Sequence, residues 1–239
     1  MRYPTGKLAL DGATLAVEPG ELVVVLGHNG SGKSTMLRCI AGLLRPTTGM
    51  VRVAGAELTR LTGRRLAEAR MALGMIFQHA HLVRRRSVLA NVLCGTLGRH
   101  RSVVTSLGGL PWSEAIFAEH CLEAVGLASL ARQRADTLSG GQAQRVAIAR
   151  ALAQKPRAML ADEPVASLDP EAAEEIMRLL RRLASKDGMP VVCVLHQPEL
   201  ACRYADRIFG LSQGRPVFME RAASITSQQI SALYEGRTA

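Results

Sequence analysis

The chain is predicted to fold as an α/β protein, a largely parallel sheet with helices on both faces, and three observations predict it. Short apolar, β-branched runs alternate with stretches of helical periodicity along most of its length. The segment Gly27-His28-Asn29-Gly30-Ser31-Gly32-Lys33-Ser34-Thr35 fits G-x-x-x-x-G-K-[ST] and lies between one such run and one such helix. A later apolar run ends on Asp162-Glu163, which puts two carboxylates at a strand terminus.

Taken in order, 1–26 reads as turn and strand. Tyr3-Pro4-Thr5-Gly6 forms a turn, Pro19-Gly20 is a break, and a buried strand covers 21–26. A helix is predicted over 36–44, stopped by Arg45-Pro46-Thr47-Thr48-Gly49, then a strand over 50–53, a short helix over 66–71 and a core strand over 73–77. Helices are predicted over 87–97 and 114–125, with Gly108-Gly109-Leu110-Pro111 breaking between them. The region 79–137 lacks strand patterns and reads as a helical subdomain inserted into the α/β core of 1–78 and 138–239. A helix follows over 143–154, then strands over 158–161, 191–195 and 207–211, separated by helices over 170–185 and 199–205. The whole of 1–239 forms one such unit.

Composition narrows the function classes. With 239 residues and 48% hydrophobic content the chain can bury a full core. Five cysteines, an odd number with no C-x-x-C pair, point to a reducing compartment. No charged start is followed by an apolar leader, and no eighteen apolar residues occur together, so a cytosolic protein is expected. The formal net charge of +10 fits nucleic acid, acidic lipid or an acidic protein. Four Phe, three Tyr and one Trp are too few stacking platforms for a single-strand reader, so no nucleic acid partner is expected. Arg84-Arg85-Arg86, the one tight basic block, reads either as a solvated loop face or as a docking patch for an acidic helix or inner-leaflet lipids.

The glycines of 27–35 let successive backbone N–H groups turn toward phosphate oxygens, and the following helix aims its positive end there. Lys33 can reach the outer phosphates and the Ser34 hydroxyl can ligate Mg²⁺, so the loop implies a nucleoside triphosphate. Asp162 is the candidate metal partner, and Glu163, one residue on, the candidate general base for an attacking water. Ser139-Gly140-Gly141-Gln142 opens a helix. Ser139 reads as an ordinary N-cap, while two glycines in a row make sense where a ligand approaches the backbone closely.

Together these motifs resemble the ATP-binding subunits of ATP-binding-cassette transporters, over nearly the whole chain and in the family's order. The resemblance implies ATP and Mg²⁺ as ligands, an ATPase core with an N-terminal antiparallel β-subdomain, and an inserted helical subdomain. It implies that Gly27 to Thr35 hold the phosphates and that Gln78 senses the metal and couples to the membrane partner. Ser139, Gly140, Gly141 and Gln142 then form the signature, and Ser167-Leu168-Asp169 the dimer-contact loop. Asp162 and Glu163 become the metal-site and catalytic carboxylates. His196 becomes the switch histidine at the γ-phosphate, ending a core strand on the side of the sheet where such folds bind ligands. Tyr3 becomes the adenine platform, although family members carry a further strand ahead of it, so a shortened start is expected here. Two copies would sandwich two nucleotides head to tail, the signature of one closing over the loop of the other.

The text around the motifs, including Gln78-His79-Ala80-His81, Gly98-Arg99-His100, Val165-Ala166-Ser167-Leu168-Asp169 and Leu195-His196-Gln197, is similar to the ATP-binding subunit of bacterial phosphonate importers. That likeness implies ATP-driven phosphonate uptake with integral membrane permease subunits and, indirectly, a periplasmic binding protein. It places the chain at the cytoplasmic face of the bacterial inner membrane. Alternatives are the same machine with phosphite, phosphate esters or another oxyanion as cargo, or a soluble ATPase of this family acting on nucleic acid or ribosomes. Pro198, after Gln197, departs from the phosphonate group and suits the first turn of a helix.

Overall fold

The structure, a computed structural model, describes residues 1–100 and 109–235. Residue 108 of the expected glycine break lies outside them. One six-stranded sheet organises the fold. Its strands are β1 (Leu22–Leu26), β4 (Leu73–Ile76), β5 (Ala158–Asp162), β6 (Val191–Val194), β7 (Arg207–Ser212) and β8 (Arg215–Arg221), in the spatial order β4-β5-β6-β1-β7-β8. The first five are parallel and β8 returns antiparallel to β7. A separate hairpin pairs β2 (Arg52–Val53) with β3 (Ala56–Glu57).

All five residues of β1 are buried, because the sheet has a core on each face. Leu22, Val24 and Leu26 point into one core with Met159, Ala161, Val191 and Cys193; Val23 and Val25 point into the other with Leu160, Val192 and Val194. Successive side chains of a strand alternate faces, so a strand covered on both sides must be apolar throughout.

Helix α1 (Lys33–Ile40) covers one face. Helices α5 (Gly140–Ala153), α6 (Pro170–Ser185) and α7 (Pro198–Tyr204) cover the other. The chain also forms α2 (Gly63–Arg70), α3 (Val88–Leu93), α4 (Trp112–Ala124) and α8 (Ser227–Glu235). In α6, Asp169 caps the start by accepting from the Ala172 N–H at 2.9 Å, and Pro170 fills the first turn. Its buried stripe, Ala173, Ile176, Met177, Leu180 and Leu183, follows helical spacing. Between β4 and β5, helices α3 and α4 pack on α5, and no strand occurs there among the described residues. Arg84 and Arg86 accept backbone bonds from Asp136 and Ala135, and all three arginines of the block are exposed.

Four expectations are corrected. The helix expected to reach 44 stops at Ile40, because Gly42 enters the left-handed region (φ +64°). The helix over 87–97 is α-helical only to Leu93 and tightens to a 3₁₀ turn over Cys94–Arg99, where Gly95 lies so close to α5 that a Cβ would sit 2.0 Å from Arg150 O. The strand expected over 50–53 shortens to Arg52–Val53. Ala13, Leu15 and Val17 alternate toward the core, yet outside β1 the strand pairing of 1–62 is confined to the bridge Arg2↔Leu8 and the β2–β3 hairpin. Finally, β8 and α8 were not expected. Among the described residues no helix is long and apolar enough to cross a membrane.

One buried ionic cluster locks the helical layer. Glu114, 7% exposed, accepts from Arg99 at 3.1 and 2.5 Å and meets His100 Nε2 at 2.8 Å, while Arg99 also donates to Ala153 O. Burial works to raise the Glu114 pKa, but the bonds from His100 and Arg99 and the Arg99 charge outweigh it, leaving the carboxyl below its ordinary value. A lowered carboxyl stabilises the fold above its unfolded pKa and loses that contribution as pH falls. Glu114→Gln is therefore expected to cost about 3 kcal/mol at pH 7. The deficit should shrink as the pH drops below 4.5, in thermal or urea unfolding followed by circular dichroism. A deficit independent of pH would refute this account.

Candidate nucleotide site

Four parallel strands end on the same side of the sheet and deliver the candidate residues. Leu26 leads into Gly27, Ile76 lies two residues before Gln78, Asp162 ends β5, and Val194 precedes Leu195 and His196. The register sets Ile76 beside Ala161 and Asp162 beside Val194, so these loop residues start from one line.

The loop from β1 to α1 wraps a cavity of about 740 Å³, lined there by His28, Asn29, Gly30, Gly32, Lys33, Ser34 and Thr35. Gly27 and Ser31 do not line it. Gly27 (φ +157°) presses against the sheet, where a Cβ would meet Leu211 O at 2.1 Å, and Ser31 is fully buried behind it. Gly32, left-handed at φ +108°, caps α1 beside Ala9 O. Lys33 is 5% exposed and donates to Gly27 O at 2.8 Å and His28 O at 3.0 Å. Burial lowers its pKa, against the opposing pull of Glu163 and Asp162.

Behind the loop, the Ser34 hydroxyl donates to Asp162 Oδ1 at 3.4 Å. Asp162 has its pKa raised, first by burial and then by Glu163, so the carboxylate lacks positive charge. A hydroxyl and a carboxylate are hard oxygen donors that suit Mg²⁺, which takes one or two protein ligands and completes its shell with phosphate and water. Among the described residues no group of three or more His, Cys, Asp or Glu could hold a metal alone. Glu163 lines the cavity and has φ +51°, a strained value for a side chain of this type, and its Oε1 lies 2.5 Å from His196 Nε2.

Tyr3 also lines the cavity, its hydroxyl 3.0 Å from Thr35 Oγ1. The other expected residues lie elsewhere. Gln78 is exposed after β4. Ser139 caps α5 in a capping box with Gln142, at 3.3 and 3.0 Å, so α5 begins at Gly140 rather than 143. The close approach at Gly141 is intramolecular: a Cβ would meet Ala172 Cβ at 2.9 Å. Asp169 is occupied as the cap of α6.

Some lining residues escaped the sequence reading. Lys7, Leu8 and Ala9 close one wall, and Gln213-Gly214, the turn between β7 and β8, another. Gly214 accepts from Asp11 N and donates to Ser31 O, both at 2.8 Å, tying the N-terminal segment to the loop. Tyr234 of α8 donates to His196 O at 3.4 Å. Contacts between backbone atoms far apart in the chain leave no residue-type signal, although Gln213-Gly214 carries a weak turn signature.

The fold and the loop define an ATP-binding cassette. The ABC transporter family model matches residues 10–166, and the chain belongs to that family. It is 48% identical over 232 residues, 97% of this chain and 88% of the relative, to the phosphonates import ATP-binding protein PhnC 3 of Nostoc sp.. It is 49% identical over 230 residues, 95% of this chain and 87% of the relative, to a protein of Mycolicibacterium smegmatis named phosphate-import ATP-binding protein PhnC. Among solved structures, the dimeric post-hydrolysis state of the ATP-binding cassette MJ0796 bound to ADP and Pi superposes with a TM-score of 0.78 at 36% identity, covering 91% of this chain and 92% of that one.

A carboxyl whose pKa is raised by folding stabilises only below its unfolded pKa, and that contribution is lost as pH rises through the folded value. Asp162→Asn is therefore expected to melt higher than the unaltered chain at pH 7 in EDTA. The difference should open as the pH climbs above 3.8 and close below it. A variant that melts lower at neutral pH would contradict the charge deficit assigned to this corner.

Proposed function

We propose that the chain is the ATP-hydrolysing subunit of a bacterial importer that takes up phosphonates through two membrane permease subunits fed by a periplasmic binding protein. The observation that carries the chemistry is the Glu163–His196 contact of 2.5 Å, in which Glu163 lines the same cavity as Lys33 and Ser34. In this reading Lys33 and the backbone of Gly27 to Thr35 hold the phosphates and Tyr3 carries the adenine. Ser34, Asp162 and Gln78 hold Mg²⁺, which when bound neutralises charge on the β- and γ-phosphate oxygens. Glu163 accepts the proton of a water as its oxygen bonds to the γ-phosphorus. The bond from that phosphorus to the bridging oxygen breaks, releasing ADP and phosphate. His196 holds the Glu163 carboxylate toward the cavity.

Ser139, Gly140, Gly141, Gln142 and Asp169 lie outside the cavity lining of their own chain, which supports their serving the nucleotide of a second copy in a head-to-tail dimer. Residues 1–78 and 138–239 act as the ATPase core and 79–137 as the helical subdomain that meets the permease at the cytoplasmic face of the inner membrane. No nucleic acid takes part. The cargo follows the phosphonate-import relatives. The Mycolicibacterium relative favours a second reading in which inorganic phosphate is carried by the same machine.

Glu163→Gln should lower ATP turnover at least about a hundredfold. It should also trap an ATP-dependent dimer in sedimentation velocity; a monomer at saturating Mg-ATP would contradict the two-copy site. For the cargo, a deletion strain lacking other phosphonate importers should fail to grow on an alkylphosphonate as sole phosphorus source. Growth should return with the unaltered gene and not with Glu163→Gln. A defect confined to limiting phosphate would select the second reading.

A further inference from the structure

Five backbone carbonyls, one on the first residue of β4 and four in the segments flanking it, accept hydrogen bonds from side chains of α5 and the residue that ends it. Gln144 Nε2 donates to Phe77 O at 2.8 Å, Arg150 donates to Ala80 O at 2.7 Å and His81 O at 2.9 Å, and Gln154 donates to Met71 O at 2.9 Å and Leu73 O at 2.8 Å. The carbonyls of Phe77 and Ala80 bracket Gln78 and His79. A stretch outside any strand or helix is thus held at both ends by the helix whose first turn carries the signature.

The stretch does not rest in a relaxed conformation. His81 has φ +46°, in the left-handed region that residues bearing a side chain rarely adopt. Its ring packs edge-on to Phe77 and His79, with centroids 5.9 and 6.0 Å away. The two Arg150 bonds end on the carbonyls at and just before that strained residue. Arg150 belongs to no ion pair among the described residues, so its charge serves these carbonyls rather than a carboxylate. Gln144, 2% exposed, would leave a buried amide unbonded without Phe77 O.

We infer that Arg150, with Gln144 beside it, is a positioning residue for Gln78: it ties the loop that carries Gln78 to the helix that begins with Ser139-Gly140-Gly141-Gln142. A displacement of the signature then displaces Gln78. The inference rests on the part in hydrolysis assigned to Gln78 above.

The test is a double-mutant cycle on ATP turnover, with hydrogen exchange as a readout that needs no activity. Arg150→Ala is expected to lower kcat about tenfold while KM for ATP changes by less than about twofold, and in the Gln78→Ala background it should change kcat by less than about twofold. Arg150→Lys, which offers a single ammonium to the two carbonyls, should fall between. Equal factors in both backgrounds would show a general structural role and overturn the inference, as would a Gln78→Ala variant with unaltered kcat. Exchange at the amides of 78–82 should quicken about tenfold in Arg150→Ala while β4 stays protected; unchanged exchange would also overturn it. If Arg150→Ala does not fold, Arg150→Lys and Gln144→Met carry the same two measurements. Absence of hydrolysis by the unaltered chain would count against the proposed function, and exchange would still decide the tie.

Discussion

The buried ammonium of Lys33 is the constraint around which the site is arranged. It holds the carbonyls of Gly27 and His28, so the loop is closed on a cation that makes no ion pair among the described residues. Glu163 and Asp162 favour its charge without bonding to it. Such a loop is poised to exchange its own carbonyl oxygens for those of a bound anion at the start of α1, the positive end of that helix. Each neighbouring glycine answers to this closure: Gly27 passes under the Leu211 carbonyl and Gly32 under that of Ala9, where no side chain fits.

The parallel sheet supplies the rest. Strands that run together end together, so the carboxylates at the end of β5 and the histidine after β6 arrive beside the loop after β1 without any long-range device. Two cores, one on each face, hold those strand ends rigid, and rigidity is what a strained residue such as Glu163 requires. The β7–β8 turn then fastens the loop from behind through Gly214, and α8 reaches the carbonyl of His196 through Tyr234.

What could be read from the sequence was whatever is contiguous and chemically distinctive. The loop of 27–35, the pair Asp162-Glu163, His196 at a strand end and the helix Pro170–Ser185 were legible because residue type and spacing carry their physics. The two glycines after Ser139 pointed to a ligand, but Gly141 is required by Ala172 of α6, a packing contact no local pattern reveals. Ala13, Leu15 and Val17 alternate like a strand and do face the core, yet alternation fixes a face and not a hydrogen-bonding neighbour. The edge strand β8 was hidden by Pro216 and by a sparse apolar pattern, and with it went the turn that closes one wall of the cavity.

The side chains that reach across from α5 to Phe77, Ala80 and His81 couple two motifs lying far apart in the chain, while the capping box keeps the start of that helix fixed. Everything nonetheless returns to Lys33. The most direct test is titration of Mg-ATP, by calorimetry or a fluorescent analogue, against the unaltered chain and a Lys33→Ala variant whose far-UV spectrum is unchanged. The account predicts binding to the first and at least about a hundredfold weaker binding to the second, a loss of about 2.7 kcal/mol or more. Equal affinity for both would contradict the assignment of the loop as the phosphate site.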